Sequence, residues 1–161
     1  MKQNIINISG FEVSNIHPFF LIAGPCSIES KDHAINHAGI INEICKKLSV
    51  NFVYKSSFDK ANRSSKKSHR GIGIEKGLSI LSDVKKEFNI PILTDVHESY
   101  QCKEIANVVD IIQIPAFLCR QTDLLTDAAE TGKIINIKKG QFLAPWDMEN
   151  VLNKVLDVGN K

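Results

Sequence analysis

Five short apolar runs alternate along this chain with stretches whose apolar residues recur at helical spacing, and that alternation limits the fold more than any other feature. The runs occupy residues 19–23, 52–55, 90–95, 110–115 and 134–138. After Ser30, the residues Ala34, Ala38, Ile41, Cys45 and Leu48 are spaced 4, 3, 4, 3 and share one face of a helix. A second stripe runs Ile74, Leu78, Leu81, Val84, Phe88 and stops at Asn89. Shorter helices are expected over residues 99–107, with Cys102 toward the sheet, over 120–130, and over 147–158. Gly132 supplies the left-handed cap of the second of these, and Gly159 the stop of the third. The run at 19–23, ended by Gly24-Pro25, reads as a strand buried on both faces. Ahead of it, residues 4–8 and 11–13 bracket Ser9-Gly10 as a small hairpin within residues 1–15.

Strand and helix in strict alternation with short connections imply parallel strands and right-handed crossovers. No Gly-x-Gly-x-x-Gly follows a strand: Gly71-Ile72-Gly73 lacks the third glycine, so a dinucleotide site is not expected. The architecture that fits is a (β/α)8 barrel of which about five βα units are present, because such barrels take about 250 residues and this chain has 161. The whole of 1–161 reads as one partial barrel domain. Five parallel strands leave an edge for a partner or another segment to cover. No apolar run approaches the length of a membrane span and the N-terminus has no signal layout, which predicts a cytoplasmic protein. Cys26, Cys45, Cys102 and Cys119 form no Cys-x-x-Cys pair and are expected as free thiols, all but Cys26 inert.

Polar or reactive residues stand at the C-terminal end of run after run: Cys26, Lys55, Asp95, Gln113 and Lys138. In a barrel these five converge on one mouth. From Lys55 to Arg70 the chain carries six cations (Lys55, Lys60, Arg63, Lys66, Lys67 and Arg70) against one acid, Asp59, with five serines and Asn62 interleaved. That chemistry suits a phosphate, since cations neutralise the dianion and hydroxyl or amide donors complete its shell. The plain alternative is a solvated basic loop. With a formal net charge of only +2, the positive charge is local, which favours a small anionic ligand over nucleic acid. Cys26 is either a small half-buried thiol or a thiolate for a metal. Asp95 and His97 fall to one side if the strand continues past Asp95, and could then offer a second ligand. His33 and His37 read as surface residues of a helix. The dense apolar stretch before Arg120 reads as a buried lip or a subunit contact.

The motifs Ala23-Gly24-Pro25-Cys26-Ser27-Ile28-Glu29-Ser30, the stretch 55–65, Thr94-Asp95-Val96-His97-Glu98, the stretch 113–124 and the stretch 136–142 resemble the 3-deoxy-D-manno-octulosonate 8-phosphate synthases (2-dehydro-3-deoxyphosphooctonate aldolases), in order and over nearly the whole chain. The resemblance implies a barrel fold, a homotetramer and a transferase of lipopolysaccharide synthesis. The implied reaction condenses phosphoenolpyruvate with D-arabinose 5-phosphate and water. It further implies that Lys55, Ser57, Lys60, Gln113, Ala116 through its backbone, Lys138 and Gln141 hold phosphoenolpyruvate. Asn62, Arg63 and Ser64 are implied to hold the sugar phosphate with Asp95 near its reacting end, and Phe117 and Arg120 to extend into an adjacent subunit's site. Lys60, Asn62, Asp95 and Lys138 are the implied catalytic set. Cys26 stands where the metal-dependent class of the family binds a divalent ion, which resembles that class and implies such an ion as cofactor.

Two other readings compete. The sister synthase that uses erythrose 4-phosphate, 3-deoxy-D-arabino-heptulosonate 7-phosphate synthase, shows Lys-Pro-Arg-Thr-Ser where this chain has Lys60-Ala61-Asn62-Arg63-Ser64. A truncated, non-catalytic fragment that keeps only anion binding or assembly contacts is the alternative from another class.

Overall fold

The computed structural model of the protein describes residues 4–160; residues 1–3 of the expected hairpin and residue 161 lie outside the described part. Its contacts divide into two compact units, one reaching Leu93 and the other starting at Thr94.

In the first unit, β1 (Ile6–Ile8) and β2 (Phe11–Val13) form the expected antiparallel hairpin, with Ile8 opposite Phe11 across Ser9-Gly10. Ser9 and Gly10 both take positive φ, the conformation that turns the chain in two residues. The Phe11 ring packs on Phe20 at a centroid distance of 5.9 Å. Then come β3 (Leu21–Ala23), α1 (Lys31–Leu48), β4 (Phe52–Lys55), α2 (Ile74–Phe88) and the first half of β5 (Ile92–Asp95). The pairing is parallel, with Leu21 beside Phe52 and Tyr54 beside Ile92. α1 opens where Ser30 accepts the His33 N–H at 3.1 Å, which satisfies one donor of the first turn.

The second unit holds the end of β5, then α3 (Gln101–Ala106), β6 (Ile111–Ile114), α4 (Thr122–Glu130), β7 (Ile134–Ile137) and α5 (Met148–Leu156). β6 and β7 are parallel and in register from Ile111–Ile134 to Ile114–Ile137. Short 3-10 turns occupy Ala116–Leu118 and Pro145–Asp147. Gly132 adopts positive φ after its helix, as read from the sequence, and Gly159, read as a stop, adopts positive φ as well. The sheet order follows chain order, β3-β4-β5-β6-β7, so the fold is α/β with five parallel strands and an N-terminal hairpin.

Two expectations about burial need correction. Residues 19–23 are not a strand buried on both faces: Phe19 is 73% exposed and only 21–23 are extended into the sheet. β3 stands at one end of the strand order and, among the described residues, has a neighbouring strand on one side only. In α1 the buried face is Ala34, Ala38, Asn42 and Cys45, while Ile41 is half-buried and Leu48 is 68% exposed in the last turn. Small residues on that face let the helix lie close to its neighbours. Gly39 shows the effect, because a Cβ there would stand 3.3 Å from the Phe88 ring. Val53, Tyr54, Leu81, Val84, Ile92 and Leu93 form the wholly buried core of the first unit, and Cys102, Ile105, Ile112, Ile114 and Leu125 that of the second. Each such aliphatic side chain contributes about 1.5–3 kcal/mol by leaving water.

Candidate functional site

β4 ends at Lys55, and the chain continues inward through Ser56, Ser57 and Phe58, none more than 1% exposed. This buried extension is stitched to the segment after β3. Ser56 Oγ donates to the Pro25 carbonyl at 2.8 Å, and the Ile28 N–H donates to the Ser57 carbonyl at 2.9 Å. Gly24, at φ +155°, allows the approach, since a Cβ there would lie 2.0 Å from the Lys55 carbonyl oxygen. Cys26 sits in the stitched segment with its side chain exposed.

On that platform two ammonium groups meet. Lys55 Nζ donates to Ser57 Oγ at 2.9 Å and Lys60 Nζ donates to the same oxygen at 2.7 Å. One hydroxyl oxygen has lone pairs for both, yet two like charges so close repel, and an anion placed between them removes that cost. Asn62, Arg63 and Ser64 lie beyond on an exposed loop, where Arg63 Nε donates to the His69 carbonyl at 3.2 Å. Arg70, which composition grouped with the phosphate-suited cations, is directed elsewhere. Its Nε donates to Asp59 Oδ1 at 2.8 Å and its Nη2 to Asp59 Oδ2, a fork that holds the guanidinium above its already high ordinary pKa.

The second unit assembles its own polar groups. Asp95, 5% exposed, closes β5, and its Oδ2 lies 3.2 Å from His97 Nε2. The strand ends at Asp95, but the two side chains still meet, because Gln101 Oε1 accepts the N–H groups of His97 at 2.9 Å and Glu98 at 3.2 Å and turns the chain there. Gln113 Oε1 accepts from Asn136 Nδ2 at 3.0 Å, its register partner on β7. Lys138 follows β7, exposed, with its N–H on the Ile114 carbonyl at 3.1 Å. Ala116, Phe117, Arg120 and Gln141 come together in the wall of a cleft of about 240 Å³. Arg120 also borders a cleft of about 430 Å³ with His97, Ser99 and Thr122. The apolar stretch before Arg120 is only partly a buried lip: Cys119 is buried, but Phe117 is 63% exposed.

The DAHP synthetase I family model matches residues 8–161. The chain belongs to that family. Among curated relatives, the 2-dehydro-3-deoxyphosphooctonate aldolase of Bartonella quintana (strain Toulouse) is 60% identical over 158 residues, covering 98% of this chain and 57% of the relative. The protein of the same name from Bartonella henselae is 60% identical over 157 residues, covering 98% and 56%, and that from Brucella anthropi is 57% identical over 155, covering 96% and 56%. The chain thus spans a little over half the length of the relatives it matches.

For a family member, the thiols and carboxylates present test the expected metal. Among the described residues no three His, Cys, Asp or Glu side chains come together to hold an ion. Cys26 alone does not make a centre, because one thiolate does not fix a divalent ion. The other three thiols are buried as expected, and burial pushes that of Cys102 up to about 11 and raises that of Cys45. Sequence reasoning passed over Ser56, Asn136 and the Asp59–Arg70 fork. Ser56 and Asn136 carried no local signal, since their partners lie 31 and 23 residues away. The lone acid among six cations was the one clue to the fork.

Proposed function

We propose that this protein takes part in the condensation of phosphoenolpyruvate with D-arabinose 5-phosphate and water, giving 3-deoxy-D-manno-octulosonate 8-phosphate and inorganic phosphate. The relatives that share its sequence at 57–60% identity carry the name of that aldolase, which favours arabinose 5-phosphate over erythrose 4-phosphate. The observation that carries the reading is the pair of ammonium groups on Ser57 Oγ. In this reaction carbon 3 of the enol bonds to the sugar aldehyde carbon and water adds at carbon 2. The bond from carbon 2 to the phosphate oxygen then breaks and phosphate leaves.

In this reading Lys55, Ser57 and Lys60 hold phosphoenolpyruvate and offset the charge that shifts within it during the reaction. Asn62, Arg63 and Ser64 hold the sugar phosphate. Gln113, Ala116, Lys138, Gln141 and Asp95 keep the roles that the resemblance implies. Phe117 and Arg120 keep theirs in a homotetramer, a reading supported by the exposure of Phe117 and of Phe142. The five strands are read as part of an eight-stranded barrel, the ligands as small phosphorylated molecules without nucleic acid or membrane, and the location as cytoplasmic. No helix among the described residues is long and apolar enough to cross a membrane. The expected divalent ion is retained only through Cys26, and no step here is routed through it.

Phosphate release from phosphoenolpyruvate, followed with arabinose 5-phosphate, erythrose 4-phosphate or no sugar, tests the proposal. Release with arabinose 5-phosphate alone, matched by the eight-carbon product, is expected. Saturable phosphoenolpyruvate binding without phosphate release in the presence of either sugar replaces it with anion binding or assembly by a non-catalytic fragment.

A further inference from the structure

The basic stretch contains a device that its charge count hides. Asp59 and Arg70 stand at the two ends of the segment that carries Lys60, Asn62, Arg63 and Ser64, and the Arg70 guanidinium forks onto the Asp59 carboxylate. The backbone beneath repeats the join. Asp59 and Gly71 form an isolated antiparallel bridge, and the Lys60 N–H donates to the Arg70 carbonyl at 2.6 Å. Gly71, at φ +144°, allows the closest approach, since a Cβ there would stand 2.2 Å from the Phe58 carbonyl oxygen. Residues 60–70 are therefore a loop drawn shut at a neck, and residues 61–70 are all exposed.

Beyond the neck little holds the loop in one direction. Its internal ties are local: the Arg63 N–H on the Lys60 carbonyl at 3.3 Å, Arg63 Nε on the His69 carbonyl at 3.2 Å, the Lys67 N–H on Ser65 Oγ at 3.2 Å, and the Ser68 N–H on the Ser65 carbonyl at 3.1 Å. None of these fixes the loop against the buried platform at Ser57. The neck does, together with Lys60 Nζ on Ser57 Oγ at 2.7 Å beside it, and the direction of Arg63 and its neighbours follows from the neck. An exposed ion pair adds little to global stability, and the Arg70 side chain is 59% exposed against 19% for Asp59. The fork's contribution is to orientation.

We propose that Asp59 and Arg70 are positioning residues that aim the loop carrying Asn62, Arg63 and Ser64 at the phosphate of the sugar substrate, without touching either substrate. The inference rests on the reading of that loop as the sugar-phosphate binder. Phosphoenolpyruvate is assigned to Lys55, Ser57 and Lys60. Although the Lys60 backbone belongs to the neck, its Nζ is held on the buried Ser57 Oγ at 2.7 Å and not by the fork, so this ligand should be little affected, which makes the two ligands each other's control.

The test is calorimetric titration of the full chain, and of Asp59→Asn, Arg70→Met, Arg70→Lys and Arg63→Ala, with arabinose 5-phosphate and separately with phosphoenolpyruvate. Asp59→Asn and Arg70→Met should weaken the sugar phosphate about fivefold, with phosphoenolpyruvate unchanged within about twofold and melting temperature unchanged. Arg70→Lys should recover part of the loss. Tryptic cleavage within residues 60–70 should be faster in both neck variants, which reads the loop independently of any ligand. Equal losses for both ligands would make the fork merely structural and overturn the inference. So would an unchanged sugar-phosphate affinity in the neck variants while Arg63→Ala loses it. If Arg63→Ala itself binds the sugar phosphate normally, the reading of the loop fails and takes the inference with it.

Discussion

Lys55 and Lys60 place their ammonium groups on a single atom, Ser57 Oγ, at 2.9 and 2.7 Å. Ser57 is wholly buried, so its hydroxyl is fixed by the fold and fixes both cations in turn. Replacing it by alanine removes the shared acceptor without changing the charge. Ser57→Ala should weaken phosphoenolpyruvate about tenfold, in line with the ~1.5 kcal/mol of a hydrogen bond to a charged group. Calorimetric titration checks this, and an unchanged affinity would mean that the hydroxyl does not organise the anion site.

Thiol reactivity should separate the cysteines sharply. Cys26 is exposed, whereas Cys45, Cys102 and Cys119 are buried. Ellman's reagent at neutral pH should titrate one thiol rapidly in the native protein and four after denaturation. Mass mapping of the native adduct should find it on Cys26. Rapid labelling of Cys102 in the native state would contradict its burial, which pushes its thiol up to about 11.

Alkaline stability should fall in a defined window. Burial raises the Tyr54 phenol from 10.0 to about 12. Between those values the unfolded chain releases a proton that the folded chain keeps, so unfolding is favoured progressively as pH rises. At pH 12 the loss is on the order of 2–3 kcal/mol. Below pH 10 both states keep the proton and Tyr54 gives no slope. Cys102 adds the same sign from 9.0 to about 11. Urea unfolding from pH 8 to 11 should show the decline, and Tyr54→Phe should flatten the part above pH 10.

Much of this was legible in the sequence, and the failures share a cause. The helical stripes, apolar runs and turn signals predicted the β-strands and α-helices described, because period and length are local properties, but not the 3-10 turns at 116–118 and 145–147. The helix start after Ser30 and the left-handed Gly132 were readable for the same reason. Phe19 was misjudged because an apolar run looks alike whether its outer face is covered or not, and coverage depends on strand order; Leu48 was misjudged because it sits in the last turn of α1, where the stripe outruns the neighbours it packs on. Arg70 was counted as a phosphate cation because its partner, Asp59, is 11 residues away across a loop. Gln113 was visible as a polar residue ending a run, but its tie to Asn136 needs the register of two strands 23 residues apart. Asp95 and His97 were paired on the condition of a longer strand, and a turn held by Gln101 brings them together instead.

Close packing under the basic loop makes a further mutation informative. A Cβ on Gly77 would stand 2.4 Å from the Phe58 Cβ, where α2 presses on the end of the buried platform. Gly77→Ala should therefore destabilise the protein by about 1–3 kcal/mol despite the better helix propensity of alanine. Chemical denaturation measures it. A stabilised variant would show that α2 can shift outward freely.

One end of the sheet order belongs to β3, whose far edge has no strand beside it among the described residues and offers amide and carbonyl groups to an arriving extended backbone. Leu21 is partly exposed there and Phe19 just before it more so, giving a hydrophobic fringe to a hydrogen-bonding ladder. Such a margin recruits. An edge of this kind favours self-association, which should rise with protein concentration and be read by light scattering across a dilution series.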